Sequence, residues 1–232
     1  MLKKRLLFLL CSLIVLAFVM KLCGVLPSFG ENDTEGETKE RPPSASIEVT
    51  PIIQTPELPT GCESVALTMA LNVYGYQLDK TTIASEWLVH NNENYVIGYS
   101  GDPFSKKGAG IFAPGLCATA NAFLEHKGDG YRAYDITGMS MEDLCDYIAQ
   151  KIPVVVWITM DYKEPVYTDS NIEYDGRTYR WYNNEHCVLL GGYDDGKSIL
   201  TIYDPLQGKI EIEKQTFQEI YDQIGKYAIM IR

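Results

Sequence analysis

The chain has 232 residues, with 20 basic and 31 acidic side chains and a formal net charge of -11 at pH 7. A chain this acidic repels a phosphate backbone, which disfavours nucleic acid as a ligand. Hydrophobic residues make up 46% of the chain, so it can bury one substantial core.

The N-terminus has the composition of a secretion signal or a membrane anchor. Lys3-Lys4-Arg5 precede an apolar run from Leu6 to Leu26 that contains one lysine, Lys21. A run of this length approaches a membrane span. We expect residues 1–26 to be a retained signal anchor, and cleavage near Ser28-Phe29-Gly30 is the alternative. Because the basic flank stays in the cytoplasm, the rest of the chain would lie outside the cell membrane, or be secreted after cleavage.

Residues 27–50 differ in composition from both of their neighbours. They are rich in Glu, Thr, Ser and Pro and contain few large apolar side chains. Such a segment cannot bury enough surface to become ordered. We therefore predict a disordered linker that tethers a folded domain spanning residues 51–232.

The first element predicted in this domain is a helix that begins near a cysteine. The run after Thr60-Gly61-Cys62-Glu63 is apolar on almost every face until Gly75, as expected of a buried helix. Thr60 and Glu63 have the spacing of a capping box, with Cys62 in the first turn. Free backbone N–H groups and the helix dipole would there favour the thiolate and lower the thiol pKa. A buried structural cysteine is the alternative for Cys62.

Coarse patterning predicts the elements that follow. We predict helices at 81–89, 114–126, 141–150 and 216–224, strands at 153–160 and 227–231, a hairpin over 171–182, and a long loop at 90–113. Helices first and strands later favour an α+β fold with segregated layers. Long loops are usually functional, and we expect Tyr95, Tyr99, Asp102 and Phe104 to line a substrate groove. Aromatic packing beneath the loop is the alternative.

A second hairpin is predicted where an apolar run beginning at His186 meets Asp194-Asp195-Gly196. A three-residue loop with a left-handed Gly196 sets His186 opposite Asp204, with Cβ atoms within about 5.5 Å. That carboxylate would hold the imidazole in the tautomer that accepts a thiol proton. A two-residue loop would instead pair Asp204 with Cys187 on the other face. For His186 taken alone, a structural histidine is the default interpretation.

The remaining histidines and cysteines do not have the spacing of a metal site. Cys117 and Cys145 lie on two predicted helices, where they could form a disulfide or remain two buried thiols. His90 and His126 are far in sequence from any pair of cysteines. We therefore expect neither a metal nor a cofactor.

The order Cys62, His186, Asp204, with the cysteine on a central helix and the other two residues on a later sheet, resembles the papain-like cysteine peptidase fold. More narrowly, the sequence resembles the peptidase C39-like family. The segments that carry this resemblance are residues 54–63, 101–103, 110–114, 186–193 and 204–205.

The resemblance implies a thiol hydrolase. In it Cys62 is the nucleophile, His186 the general base and then acid, and Asp204 the residue that orients the imidazole. Gln54 matches the glutamine that this family uses as an oxyanion-hole donor. Well-known C39 peptidases are transporter domains that cut leader peptides after a double glycine. Because the sequence contains no Walker-type glycine-rich loop, we do not carry that specificity over.

These observations predict a membrane-tethered, extracytoplasmic thiol hydrolase that cleaves peptide bonds. We expect a peptide or protein substrate, membrane association through the N-terminal segment, no nucleic-acid ligand and a monomer. One alternative is a tethered peptide-binding module without activity. Another is a different acyl transfer on the same fold, such as cell-wall amide hydrolysis or transamidation.

Overall fold

A seven-stranded antiparallel sheet lies at the centre of the computed structural model, which describes residues 41–232. Its strands are β1 (Ser44–Ser46), β2 (Ala133–Asp135), β3 (Val154–Thr159), β6 (Glu185–Asp194), β7 (Ile199–Asp204), β8 (Gly208–Glu213) and β9 (Ala228–Ile231). The order is β2-β9-β3-β6-β7-β8, and β1 pairs with the end of β6. Two further strands, β4 (Tyr167–Tyr174) and β5 (Arg177–Tyr182), form a separate hairpin.

Four α-helices accompany these strands in the described part of the chain. They are α1 (Cys62–Val73), α2 (Ala113–Lys127), α3 (Met141–Ala149) and α4 (Lys214–Ile224). Helix α1 contacts β6 and β3, and all its residues from Cys62 to Leu71 are buried. This confirms the predicted α+β fold with a central helix packed on an antiparallel sheet.

Most of the predicted elements are present, with small shifts at their ends. The 81–89 segment is different, because it forms a short π-helical turn at Ile83–Trp87. Patterning did not detect the short strands β1 and β2, or β8, which follows the tight turn after Asp204. Strands β1 and β2 have only three residues each, which is too few for alternation to be recognised from sequence.

The predicted linker boundary needs correction. Strand β1 lies within the segment predicted to be disordered, and the compact folded unit begins at Arg41. Arg41 forms ion pairs with Glu142, Asp146 and Asp195, which attach this segment to α3 and to the β6–β7 loop. The predicted anchor at 1–26 lies outside the described residues. Within residues 41–232, no helix is both long and apolar enough to cross a membrane.

The predicted capping box at the start of α1 is wrong. The N-cap is Gly61, without a side-chain hydrogen bond, and Cys62 is the first helical residue. The Thr60 hydroxyl donates to the carbonyl of Ser105 at 2.9 Å. The Glu63 carboxylate accepts the N–H of Ile111 at 2.7 Å. Both side chains bind the long loop, so neither is available to cap the helix.

The β6–β7 register differs from both predicted alternatives. Asp194 pairs with Ile199, so the loop has four residues, and Ser198 rather than Gly196 has positive φ. Continued without interruption, this register would put Asp204 and His186 on opposite faces of the sheet. A β-bulge at Gly191, between the Leu190 and Gly192 pairs, shifts the register by one residue.

Because of the bulge, His186 and Asp204 lie on the same face of the sheet. Beyond it, Leu190 pairs with Ile202 and Leu189 with Tyr203, so the next position opposite Asp204 is Val188. His186 lies two residues further along β6 and therefore on the same face as Val188. The two side chains are diagonal neighbours, which are still within reach of each other.

We expect Gly191→Ala to lower the free energy of unfolding by about 1–3 kcal/mol, the usual cost of overpacking. A Cβ at Gly191 would lie 2.6 Å from Cε2 of Tyr203, whose ring is buried. Gly196→Ala is the matched control, because its nearest atom would be 3.4 Å away and its φ is not positive. Urea unfolding of the two variants checks this. Equal stabilities would contradict the structural role of Gly191.

Candidate active site

A cavity of about 370 Å³ lies at the N-terminal end of α1. Its walls come from segments that are far apart in sequence. They consist of Gln54, Pro59, Thr60, Cys62, Gly108, Ala109, Met160, Trp181, Asn183, Glu185, His186 and Leu206. The fold therefore brings three of the predicted site residues, Cys62, His186 and Gln54, to one cavity.

Behind this wall, His186 and Asp204 form a buried hydrogen-bonded pair. The distance between Nε2 of His186 and Oδ1 of Asp204 is 2.8 Å, and both residues are almost fully buried. Asp204 also accepts the N–H of Leu206 at 2.7 Å and the hydroxyl of Tyr162 at 2.8 Å. Burial opposes ionisation of Asp204, but these hydrogen bonds outweigh it and lower the pKa of the carboxyl.

The pair determines which imidazole nitrogen is basic. An ionised Asp204 can only accept hydrogen bonds, so Nε2 of His186 must carry the proton. In the neutral ring, Nδ1 is then the nitrogen with a free lone pair. The arrangement can therefore accept a proton at Nδ1 and stabilise the imidazolium that results.

Tyr162 is a site residue that sequence reasoning missed. It lies in a short 3-10 turn after β3, where Asp161 and Tyr162 both have positive φ, 56° and 55°. Left-handed non-glycine residues cost about 1–2 kcal/mol each, so the turn is strained. This turn directs the Tyr162 hydroxyl to Oδ2 of Asp204. A tyrosine in a short connection has no sequence signature that would have revealed this contact.

The thiol of Cys62 is buried and hydrogen-bonded to a carboxylate. Its Sγ donates to Oε2 of Glu63 at 3.3 Å, and within residues 41–232 no hydrogen bond joins Sγ to His186. Burial, followed by the charges of Glu63 and Glu185, raises the pKa of Cys62 well above its usual value. The expectation of a lowered pKa is not met, because burial, followed by the two nearby acidic groups, disfavours the thiolate.

Glu63 connects α1 to the long loop. Oε1 of Glu63 accepts the N–H of Ile111 at 2.7 Å, and the Ile111 carbonyl accepts the indole N–H of Trp157 at 3.0 Å. Burial raises the pKa of Glu63 to about 7. Glu63, which was predicted to cap the helix, therefore connects α1 to the long loop next to the Cys62 thiol.

Glu185 is the second buried carboxyl group beside Cys62, and sequence reasoning did not identify it. It is 8% exposed, and its Oε1 has no hydrogen-bond partner among residues 41–232. Burial and the charge of Glu63 raise the pKa of Glu185 well above its usual range. Its position next to His186 on β6 gave no signal for this place, because alternation along a strand would put the two side chains on opposite faces.

Gln54 lies in the cavity wall with an incompletely satisfied amide. It is 2% exposed, and its Nε2 donates to the carbonyl of Pro59 at 3.2 Å. Its Oε1 has no partner in the described part of the chain. The backbone N–H of Gln54 donates to the carbonyl of Pro205 at 2.8 Å, which ties this segment to the chain just after Asp204.

The four residues predicted to line a groove lie elsewhere. The ring of Tyr95 packs against Phe112 and Trp181, and the ring of Tyr99 packs against His90, so the alternative of aromatic packing describes both. Asp102 and Phe104 belong to the loop, where Phe104 is 44% exposed. None of the four belongs to the cavity wall. The loop contributes to that wall only at Gly108 and Ala109.

Among residues 41–232, the other three cysteines form no disulfide. Cys117, Cys145 and Cys187 are free thiols. Cys145 is buried, as in the alternative of two buried thiols, whereas Cys117 is half-buried. Cys187 is fully buried and pairs with Trp157 of β3.

Comparison with known proteins assigns the family. The model of the Peptidase_C39 like family matches residues 46–229, which is most of the folded unit. The chain belongs to the peptidase C39-like family. This confirms the resemblance on which the papain-like fold was predicted.

Individual relatives agree with the assignment. Uncharacterized protein YvpB of Bacillus subtilis (strain 168) is 26% identical over 189 residues, covering 78% of this chain and 72% of that protein. A crystal structure of a proposed C39-like peptidase from Bacillus anthracis is 28% identical with a TM-score of 0.69. The match covers 82% of this chain and 97% of the other.

We expect Glu185→Gln to stabilise the protein at neutral pH. A carboxyl group whose pKa is raised on folding destabilises the native state increasingly as pH rises above its unfolded value, near 4.5. Because each pKa unit corresponds to roughly 1 kcal/mol, the gain in unfolding free energy at pH 7 should be on the order of 1 kcal/mol or more. The gain should disappear as pH falls to 4. Urea unfolding between pH 4 and 8, with a chelator present, measures it.

Glu86→Gln is the matched control, because Glu86 is exposed. It should change stability by less than about 0.5 kcal/mol at every pH. A destabilised Glu185→Gln variant at pH 7 would show that the carboxylate has a stabilising partner.

Proposed function

We propose that the protein is a cysteine peptidase in which Cys62, His186 and Asp204 form the catalytic triad. The observation that carries the proposal is the buried His186–Asp204 pair, with His186 in the wall of the same cavity as Cys62. Membership of the peptidase C39-like family supports the same chemistry.

Catalysis would begin with a proton transfer. The Cys62 thiol leaves the Glu63 carboxylate and gives its proton to Nδ1 of His186 as the sulfur attacks the substrate carbonyl. Asp204, held ionised by its hydrogen bonds, stabilises the imidazolium. His186 then protonates the leaving amine, and water releases the acyl group. Because the resting thiol has a raised pKa, it is deprotonated during attack rather than before it.

Two donors are suited to stabilise the tetrahedral oxyanion. The backbone N–H of Cys62 lies at the first position of α1 and so has no intrahelical acceptor. The second is Nε2 of Gln54, which would have to exchange the carbonyl of Pro59 for the oxyanion. Each such donor contributes about 2.7–4 kcal/mol of transition-state stabilisation.

The substrate in this proposal is a peptide or protein. Met160 and Leu206, both 39% exposed, and the half-buried Trp181 form the apolar part of the cavity wall. Apolar side chains of a bound peptide would contact them. Cell-wall amide hydrolysis and transamidation use the same triad and would differ only in the acyl donor and acceptor.

The proposal includes a location outside the cytoplasmic membrane, with a monomeric catalytic domain attached through residues 1–26 or released after cleavage. The support is the basic flank and apolar run of the N-terminal sequence. Mass spectrometry of the mature N-terminus tests retention of the anchor, and external protease treatment of intact cells tests the orientation.

A peptide-binding module without activity is the second candidate. One observation favours it: the Cys62 thiol donates its hydrogen bond to the Glu63 carboxylate and not to His186. A thiol-reactive peptide probe separates the two candidates, because only a peptidase should be labelled selectively at Cys62.

We expect Cys62→Ala to abolish labelling and to lower peptide turnover by at least about a thousandfold, since removal of a nucleophile leaves only residual catalysis. The measurement is mass spectrometry of the labelled chain together with cleavage of a peptide library. Cys117→Ala is the matched control and should keep both signals. Turnover that survives in Cys62→Ala would mean that another group is the nucleophile.

We expect Asp204→Asn to lower peptide turnover by about 10⁴-fold, by analogy with serine enzymes, because the imidazole of His186 would be held in the wrong tautomer.

Tyr162→Phe removes one hydrogen bond to the charged carboxylate of Asp204, worth about 1.5–3 kcal/mol, and should lower peptide turnover by at least about tenfold. Because Asp204 then loses a donor, its pKa should rise, moving the acid limb of the pH–rate profile upward. Tyr131→Phe, at an exposed tyrosine, is the control. If the acid limb of the pH–rate profile is unchanged in Tyr162→Phe, Tyr162 contributes only to packing.

A further inference from the structure

Three buried ligand-type side chains converge beside the cavity. One atom each from Cys62, Glu63 and Glu185 lies within 4.8 Å of the other two. Sγ of Cys62 and Oε2 of Glu63 are 3.3 Å apart. In the proposed mechanism Cys62 is used and His186 accepts its proton, but neither carboxyl group has a role there.

One of these carboxyl groups is left without a partner. Glu185 is more than nine-tenths buried, and Oε1 has no hydrogen-bond donor within residues 41–232. Glu63 is used only in part, because Oε1 accepts the N–H of Ile111 while Oε2 contacts the thiol. A buried carboxylate oxygen without a donor is costly, and a cation relieves that cost as well as a donor does.

The backbone makes room for the two carboxyl groups. A Cβ at Gly110 would lie 2.6 Å from Oε1 of Glu63 and 3.0 Å from Oε2 of Glu185. A side chain at this position would therefore overlap with both carboxyl groups. Glycine therefore permits the close arrangement of two acids and a sulfur, which repel one another once they are ionised.

We propose that this cluster binds a thiophilic divalent cation of the Zn²⁺ type, with Cys62 Sγ and one carboxylate oxygen each of Glu63 and Glu185 as ligands. Zn²⁺ takes thiolate at about 2.3 Å and carboxylate at about 2.0–2.2 Å in tetrahedral sites. The 3.3 Å separation of sulfur and oxygen is compatible with two ligands of one such ion. Water from the cavity supplies the fourth ligand.

Binding is a ligand exchange without redox change. The thiol proton, and any proton carried by the carboxyl groups of Glu63 and Glu185, leaves to solvent. The sulfur and one oxygen of each carboxylate then each donate a lone pair to the cation. A thiolate and two carboxylates bring three negative charges, of which the ion neutralises two. The dipositive ion thereby removes most of the repulsion within the cluster.

The consequence for activity rests on the proposed function. The sulfur lone pair that would attack a carbonyl is occupied in the bound state, so the cation is a reversible inhibitor that a chelator removes. Binding itself does not depend on the peptidase proposal, because its ligands include neither His186 nor Asp204.

Co²⁺ is the probe, because a cobalt–thiolate bond gives a charge-transfer band that carboxylates alone do not give. The full chain, purified in its reduced form, is titrated with Co²⁺, and Zn²⁺ then displaces it. We expect saturation at a single ion per chain, a thiolate band, and loss of that band in Cys62→Ala. Cys117→Ala should keep it.

Glu185→Gln is the variant that tests the carboxylate ligands. A change at Glu63 is less suitable, because Glu63 also accepts a hydrogen bond from the long loop. Loss of an outer-sphere partner alone weakens metal binding 10–100-fold, so loss of a ligand should weaken it by at least about tenfold. Glu86→Gln is the charge-matched control and should bind as the unchanged chain does. No thiolate band in the unchanged chain, a band that persists in Cys62→Ala, or unchanged affinity in Glu185→Gln would each overturn the proposal. Because the readout is spectroscopic, such a result leaves the peptidase proposal standing, and an inactive protein could still bind the ion.

Discussion

The site depends on a buried carboxylate that is kept ionised. Asp204 is almost fully buried, where an isolated charge would be expensive, but it accepts hydrogen bonds from His186, Leu206 and Tyr162. The donors lie on strand β6, in the tight turn after Asp204 and in the strained turn after β3. Because their geometry fixes which nitrogen of His186 is protonated, the chemistry at the cavity is determined by structure several ångströms behind it.

The two other buried carboxyl groups have the opposite environment. Glu63 has one backbone donor and Glu185 has none for Oε1 in the described part of the chain, so burial raises the pKa of both. The same protein thus lowers the pKa of one acid and raises that of two others within one region. Such a division is typical of functional sites, where stability is lost in exchange for reactivity. Burial, together with these two acidic groups, also raises the pKa of the Cys62 thiol, so its position at a helix N-terminus does not by itself activate it.

The register of β6 and β7 shows which features of a hairpin can be predicted from the sequence pattern and which cannot. The sequence indicated a hairpin, and both strands form where it placed them. The pairing of His186 with Asp204 was predicted from a three-residue loop, whereas a four-residue loop and a bulge at Gly191 produce it. Two register errors together shift the pairing by two residues, which preserves the face because side chains alternate with period two. The predicted contact is therefore present, although the predicted register was wrong.

The sequence by itself determined most of the helices and strands and the order of Cys62, His186 and Asp204 along the chain. An apolar helix, alternating strands and turn residues are local signals, and the spacing of the family segments adds to them. Only the tertiary structure decided the partners: Glu63 binds Ile111 instead of capping a helix, Tyr162 reaches Asp204, and Glu185 lies beside Cys62. The reason is that a helix or a strand forms from neighbours in the chain, whereas the partner of a buried polar group depends on which distant backbone N–H or side chain the fold brings within about 3 Å of it.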